Sequence, residues 1–329
     1  MRRWLMRIAL LPVFLGRDLC RRLQGTGQDA VPLWQDEFAG GPVAVIALFQ
    51  SGQIRPDTLA MILALRRLGV YVIAVNAGAL ASGGVRLPVD CYVERRNFGR
   101  DFGSYRHGLR LARRIAPGLT RAILLNDSVY VASRGLEPFL RRLLDSPADI
   151  CSATESAELY PHQTSFCLSF SARCFSDAGF RRFWNRYRPT DLRPATVILG
   201  EIGLSRHLSG RGFSREVIAS RSGVRDIVTS RPDLVLGGQG GRDPVQAADW
   251  CIAGNVTHRA PAALLELGVP LVKLDLARRG EIDDSGIAAL SAGLDREDQL
   301  ALAEILAARD GPAARAGALD RLGARFGLA

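Results

Sequence analysis

Two short polar clusters interrupt a largely apolar pattern, and both are built from residue types that handle phosphates and protons. The first runs Arg95-Arg96-Asn97-Phe98-Gly99-Arg100-Asp101-Phe102-Gly103-Ser104. It stands just before a helical pattern, and the free N–H groups of a helix start favour anions. Arg96 and Arg100 carry guanidinium groups suited to diphosphate oxygens. Gly99 and Gly103 allow close backbone approach. Asp101 reads equally well as a ligand contact and as a helix cap. The second cluster, Asn126-Asp127-Ser128, follows the apolar run Ala122–Leu125. A carboxylate at a strand end can hold a hard cation that bridges phosphates, and magnesium commonly takes one or two protein carboxylates with phosphate and water. Only Asp127 supplies one here, and a plain Asx turn explains the same three residues.

These clusters need a rigid frame, and the surrounding pattern describes one. Val43–Leu48, Val70–Val75, Cys91–Val93 and Ala122–Leu125 are apolar runs of the kind found in strands buried on both faces. Helical patterns separate them at 56–68, 104–115 and 136–144. Further strands are expected at 150–151 and 166–170, and helices near 180–187 and 200–209. Strands alternating with helices predict an α/β fold with a mostly parallel sheet covered by helices. In such sheets ligands bind beyond the carboxyl ends of the strands, where both polar clusters fall. Residues 24–41 and 232–262 read as irregular. The expected organisation is an N-terminal segment and linker over 1–41, a catalytic domain over 42–283 and a helical tail over 284–329.

Composition narrows the class. The chain has 329 residues, 47% of them hydrophobic, enough for a large core without disulfides. Cysteines 20, 91, 151, 167, 174 and 251 form no C-x-x-C pair, which argues against zinc and for buried thiols in a reducing compartment. The net charge is +10, but no basic run is interleaved with aromatics, so nucleic acid is not expected as a partner. Lys273 is the single lysine among arginines. There is no phosphate-binding G-x-x-x-x-G-K-[ST] loop and no strand-borne G-x-S-x-G elbow.

The first residues, MRRWLMRIALLPVFL, combine Arg2, Arg3 and Arg7 with a short apolar run, and Arg17, Arg21 and Arg22 follow. Arg7 interrupts the apolar stretch that a secretory signal needs. Ile8–Leu15 is too short to cross a bilayer, which takes about 20 residues. An interfacial helix is expected, with arginines at anionic headgroups and Trp4, Leu5, Ile8 and Leu15 in the acyl boundary. That would place a cytoplasmic protein on the inner face of the membrane. The alternative is a helix packed on its own domain or on a partner.

The segment Arg96-Asn97-x-Gly99-Arg100-Asp101-x-Gly103-x-Tyr105, followed by Leu124-Leu125-Asn126-Asp127-Ser128-Val129-Tyr130, resembles the rhamnan synthesis protein F family. Later landmarks fall in the family's order: His162-Gln163-Thr164-Ser165-Phe166, Phe180-x-x-Phe183-Trp184, Asn255-Val256-Thr257-His258, and Gly268-Val269-Pro270-Leu271-Val272-Lys273. The resemblance covers about residues 43–280, and Val131 and Val256 depart from it. The spacing from Asn97 to Asp127 is also similar to glycosyltransferases of the GT-A fold. In those, an Asp-x-Asp after the strand binds donor diphosphate and metal, and a Glu-Asp pair before a helix supplies the general base. Glu201-Ile202 stands in place of that pair.

The resemblance implies an inverting transferase that moves a sugar from a nucleotide-sugar donor to a growing cell-surface glycan or lipid-linked acceptor. The family's name suggests rhamnose, as in dTDP-rhamnose. Asp127 would face the diphosphate, with Mg2+ or Mn2+, or Arg100 and Lys273, offsetting charge. Arg96, Asn97, Gly99, Arg100, Asp101, Asn126, Ser128, Gln163 and Lys273 would bind the donor. Glu201 is the first choice of base, with His162 and Glu155 as alternatives. A non-catalytic scaffold in a polysaccharide assembly complex is the rival reading.

Overall fold

The computed structural model describes residues 2–23, 30–80, 86–236, 243–276 and 284–307. The Gly237–Gly241 run, residues 308–329 of the expected tail and residues 24–29 of the linker lie outside these. So do the side chains of Trp4, Leu5 and Ile8.

The chain opens with α1 (Arg2–Leu23) and a short strand β1 (Trp34–Gln35). Then come β2 (Val43–Leu48), α2 (Pro56–Arg67), β3 (Tyr71–Asn76), β4 (Cys91–Glu94), α3 (Arg100–Ile115) and β5 (Arg121–Asn126). A two-residue turn leads to β6 (Val129–Val131), then α4 (Leu136–Asp145), β7 (Ile150–Ser156), β8 (His162–Gln163) and β9 (Cys167–Ser171). After α5 (Ala172–Ser176), α6 (Ala178–Arg186) and the single turn α7 (Arg193–Ala195), a π-helical segment (Thr196–Ile202) runs into α8 (Gly203–Ser209). The remainder is β10 (Arg215–Ala219), α9 (Arg221–Ser230), α10 (Pro244–Ala253), α11 (Val256–Arg259), α12 (Pro261–Glu266), β11 (Leu271–Lys273) and helices Asp284–Ala292 and Arg296–Ala307.

The main sheet has the order β1-β4-β3-β2-β5-β9-β7-β10, with β8 hydrogen-bonded to β7. Strands β4, β3, β2 and β5 are mutually parallel, β9 runs antiparallel between β5 and β7, and β10 is parallel to β7. The fold is therefore α/β with a mostly parallel central sheet. Side chains alternate along β2: Ala44, Ile46 and Leu48 enter the core on one face, and Val43, Val45 and Ala47 enter the core on the other. This two-sided burial is why the first strands read as unbroken apolar runs. The sheet grows from β2 through β3 to β4, then β5 returns to the opposite side of β2. The switch point between β2 and β5 is where ligands bind in folds of this kind.

Three segments differ from the expectation. The stretch read as a linker delivers β1 to the sheet edge, where Trp34 stacks on Tyr92 at 4.6 Å and its indole N–H donates to the Val89 carbonyl at 3.1 Å. The stretch read as a loop over 232–262 holds α10 and α11. Asp243 caps α10 by accepting from the Gln246 N–H, and Pro244 fills the first helical position, a start signal that the nearby glycines obscured. Helix α3 begins at Arg100 rather than 104, so the polar cluster itself forms its first turn.

The first described helix and the last both pack on this domain. The face of α1 bearing buried Phe14 and Asp18 docks with Arg21. Asp18 accepts from Thr190 Oγ1 at 3.0 Å and from the Asp191 N–H at 2.7 Å, while Arg21 pairs with Asp191 at 2.5 Å and donates to the Asn97 carbonyl. Among the described residues no helix is long and apolar enough to cross a membrane. From helix Arg296–Ala307, buried Asp298 accepts from Tyr130 Oη at 2.7 Å, Ser133 N at 2.8 Å and Ser133 Oγ at 2.7 Å. Asp298→Ala strips these donors of their acceptor and is expected to cost about 1–3 kcal/mol. A lowered urea midpoint with unchanged slope is the readout, and an unchanged midpoint would show the helix to be energetically idle.

Candidate functional site

Asp127 sits at the carboxyl end of β5, beside the end of β2, where Ala47 pairs with Asn126. Its Oδ2 accepts the Phe49 N–H at 2.8 Å, across the switch point. Arg55, at the start of α2, donates to the carbonyls of Asp127 (2.9 Å) and Val129 (2.7 Å) and pairs with Asp57 at 2.8 Å, so the turn after β5 is held from below. Burial raises the pKa of Asp127. The Phe49 N–H opposes this, the Asp101 charge adds to it, and Gln50 and Arg55 oppose it.

Around this carboxylate a polar chain is fully connected. Asp101 Oδ2 accepts from Asn126 Nδ2 at 2.9 Å, so this acid is tied to β5 and does not cap α3, whose N-cap residue is Gly99. Asn126 Oδ1 accepts from Ser128 N (3.2 Å) and Ser128 Oγ (2.6 Å). Lys273 Nζ then donates to Ser128 Oγ at 3.0 Å and lies 4.6 Å from the centre of the Phe166 ring. The antiparallel pairing of β11 with β6 sets Lys273 opposite Val129, which explains how residues 145 positions apart meet. Burial lowers the pKa of the ammonium, while Asp275, Asp101 and Glu201 hold it up. Those three carboxylates are therefore electrostatic neighbours of Lys273.

Glu201 faces the same space from the π-helical segment, a backbone form often found at functional sites. Its Oε1 accepts the Ser165 N–H at 2.7 Å and lies 3.8 Å from His162 Nε2. His162 Nδ1 is 2.6 Å from the Tyr160 carbonyl. A carbonyl only accepts, so Nδ1 carries the proton and Nε2 presents its lone pair towards Glu201 in the neutral ring. Tyr105 Oη donates to the Ser165 carbonyl at 3.1 Å, and burial, with the Asp101 charge, raises its pKa well above the usual phenol range. Gly200 permits this approach: a Cβ there would stand 2.9 Å from the Phe102 ring. Gly200→Ala is expected to cost about 1–3 kcal/mol by overpacking. Chemical denaturation measures it, and an unchanged midpoint would mean that the segment yields without strain.

The other anticipated residues are distributed as follows. Arg96 and Asn97 are exposed on the loop before α3 and Arg100 is exposed as its first residue, and Gly99 and Arg100 have consecutive positive φ of 85° and 53°. The space a Cβ would fill at Gly99 belongs to Pro189 at 2.3 Å, and that at Gly103 to the Phe98 carbonyl at 2.6 Å. Gly99 thus serves the packing of the loop against Pro189, and Gly103 the packing of the loop on itself. Arg95, missed as a candidate, organises it by donating to Ser104 Oγ and the Phe98 carbonyl, and burial draws its pKa down to about 10. Gln163 alternates with His162 on β8 and is spent elsewhere, donating to Ser152 Oγ at 3.0 Å and the Glu216 carbonyl at 3.1 Å. Glu155 accepts the Arg221 N–H at the start of α9.

Sequence reasoning also missed Asp275. It lies 3.0 Å from His258 Nε2 and 3.3 Å from Arg193 Nη2. Asn255 caps α11 through Thr257 N and Oγ1, which fixes the turn carrying His258. The position of Asp275, two residues after the lone lysine, was the available signal. Among the described residues no group of three His, Cys, Asp or Glu side chains could by itself hold a metal. Asp127 would be the residue to hold a magnesium ion here, since that ion usually takes one or two protein carboxylates together with phosphate and water.

No protein-family model matches the chain. It is 26% identical over 167 residues to the uncharacterized protein y4gN of Sinorhizobium fredii, covering 49% of this chain and 43% of that protein. It is 25% identical over 225 residues to the virulence protein VirA of Vibrio anguillarum, covering 65% of this chain and 71% of that one. The chain thus spans less than half the length of the first of these relatives. Among solved structures it is similar to a glycosyltransferase involved in the glycosylation of the major capsid of PBCV-1. That likeness has 12% identity, covers 52% of this chain and 79% of the other, and has a TM-score of 0.30.

Proposed function

We propose that this protein is a glycosyltransferase that uses a nucleotide-sugar donor and an acceptor hydroxyl on a growing surface glycan. One observation carries the reading: at the switch point of a mostly parallel sheet, Asp127 and the Asp101–Asn126–Ser128–Lys273 chain stand with the Glu201–His162 pair around Lys273 and Tyr105. Inversion needs a group that neutralises a leaving diphosphate and a base that takes the acceptor proton. Lys273 and the Asp127 corner suit the first task, since preorganised charge at a developing anion is worth most in a site of low dielectric. A divalent cation on Asp127 would supply further charge to the diphosphate. Glu201 suits the second, with His162 Nε2 placed to share the proton. Rhamnose is the sugar we infer, from the sequence resemblance to rhamnan synthesis proteins.

A thermal-shift panel of nucleoside diphosphates and their sugars, with and without Mg2+ or Mn2+, tests the donor class. A ligand at a hundredfold excess over its Kd is expected to add about 2.7 kcal/mol of apparent stability. No shift with any donor, from folded protein, would sink the catalytic reading. It would leave the scaffold reading, which the single carboxylate at the metal position favours.

A further inference from the structure

Two acid–histidine pairs stand at the carboxyl end of β7, and the reaction proposed above uses one. Ser156, the last residue of that strand, pairs with His162 of β8 and also forms a bridge with Asn255. Asn255 caps α11, the short helix that carries His258. Both histidines are thus fixed to one strand end. His162 meets Glu201 at 3.8 Å, and His258 meets Asp275 at 3.0 Å. The pairs are also tied to each other. Arg193 opens α7, which leads into the π-helical segment of Glu201, and its guanidinium reaches Asp275 at 3.3 Å.

The second pair has a defined chemistry. An ionised carboxylate only accepts, so His258 Nε2 carries the proton in the neutral ring and Nδ1 presents a lone pair. Nδ1 takes no hydrogen bond among the described residues and is not a buried atom, so it opens to solvent. An acid behind the ring fixes its tautomer and orientation, which readies the far nitrogen for a hydroxyl. Arg193 balances the charge of Asp275, so the three side chains together carry no net charge. That balance suits a neutral hydroxyl. A phosphate calls for an excess of cations and a metal ion for an excess of acids.

The location indicates whose hydroxyl it is. Asp275 lies two residues beyond Lys273. Burial lowers the pKa of that ammonium, and Asp275, ahead of Asp101 and Glu201, opposes the shift. The pair therefore adjoins the cation that suits a leaving diphosphate. In a nucleotide-sugar, the group next to the diphosphate is the sugar.

We infer that His258 Nδ1, oriented by Asp275, accepts a hydrogen bond from a hydroxyl of the donor's sugar ring, so that this pair selects the sugar while Glu201 and His162 serve the acceptor. The inference rests on the transferase reading. Calorimetric titration of the full chain with Mg2+ compares each nucleoside diphosphate with its own sugar: dTDP with dTDP-rhamnose, UDP with UDP-glucose, and GDP with GDP-mannose. For the ligands that bind, His258→Ala is expected to weaken the nucleotide-sugar about tenfold, the worth of one well-placed hydrogen bond, and to leave the nucleoside diphosphate unchanged. A merely structural histidine would not divide the two ligands in this way. A second, nearly isosteric variant, Asp275→Asn, guards against a folding defect. Its amide no longer fixes the tautomer of His258, so the nucleotide-sugar should again weaken. It also removes a negative charge beside Lys273, so the nucleoside diphosphate should bind at least as well as to the wild type. Variants that weaken both ligands alike, or neither, overturn the inference and leave the donor reading standing. No binding of any nucleotide or nucleotide-sugar by the wild type overturns it together with that reading.

Discussion

Glu201→Gln is expected to lower turnover by about 10²–10⁴-fold, the usual contribution of a positioned general base. The glutamine is nearly isosteric and keeps an oxygen to accept the Ser165 N–H that Glu201 now takes at 2.7 Å, so the π-helical segment should hold its shape. What is lost is the proton acceptor. Donor binding, read by thermal shift, should persist, because Asp127, Ser128 and Lys273 are untouched. The combination of intact binding and lost turnover separates a base from a purely structural acid. Unchanged turnover would move the role to His162, whose Nε2 stands 3.8 Å from the same carboxylate.

Asp127→Asn is expected to act in opposite directions on function and stability. Turnover should fall by about 10²–10³-fold, the scale on which one preorganised electrostatic contact to a developing charge is felt, and any stimulation by divalent cation should go with it. Stability without donor should rise, because the native carboxylate is buried beside Asp101 and its pKa is raised. An acid with a folded pKa above its unfolded value holds its proton more tightly in the folded state. Its contribution to stability is complete below the ordinary carboxylate range and is lost as pH rises through the raised folded value. At neutral pH the asparagine removes that charge and still offers an oxygen to the Phe49 N–H, so a gain of about 0.5–2 kcal/mol is expected, as is common when a functional strain is relieved. Melting curves across the acid range should show the wild type and variant converging as pH falls. A variant that is less stable at neutral pH, or that keeps full turnover, would remove Asp127 from the centre of the site.

What could be read in the chain alone was whatever burial on two sides dictates. Val43–Leu48 is recovered at its full length as β2, and β3 to β5 shift by a residue or so, because central parallel strands must be apolar throughout. Short strands escape that rule. β6 and β11 have three residues each and form their own pair, and β8 has two, too few for any period to show. β10 begins on Arg215 and Glu216, a charged start at the sheet edge that hides its pairing with β7. The site follows the same division. Asn126-Asp127-Ser128 was legible because it terminates a buried strand. Arg55, Asp275 and the tie between Asp101 and Asn126 were not, because each depends on contacts between distant segments. Gln163 shows the converse: sharing a motif with His162 does not place two neighbours on one face of a strand.

The antiparallel pairing of β11 with β6 also sets an order of events for a growing chain. Asp101, Asn126 and Asp127 emerge early and can settle at the end of the nascent sheet, but the ammonium that completes their chain arrives with residue 273, and the acid that clasps Tyr130 and Ser133 with residue 298. Contacts of such long separation form late. During synthesis the protein therefore passes through a stage in which its acidic corner has no lysine and is electrostatically unfinished. A ribosome-bound intermediate would therefore carry its acidic corner without the ammonium, so the polar chain is completed only by residue 273 and its support only by residue 298.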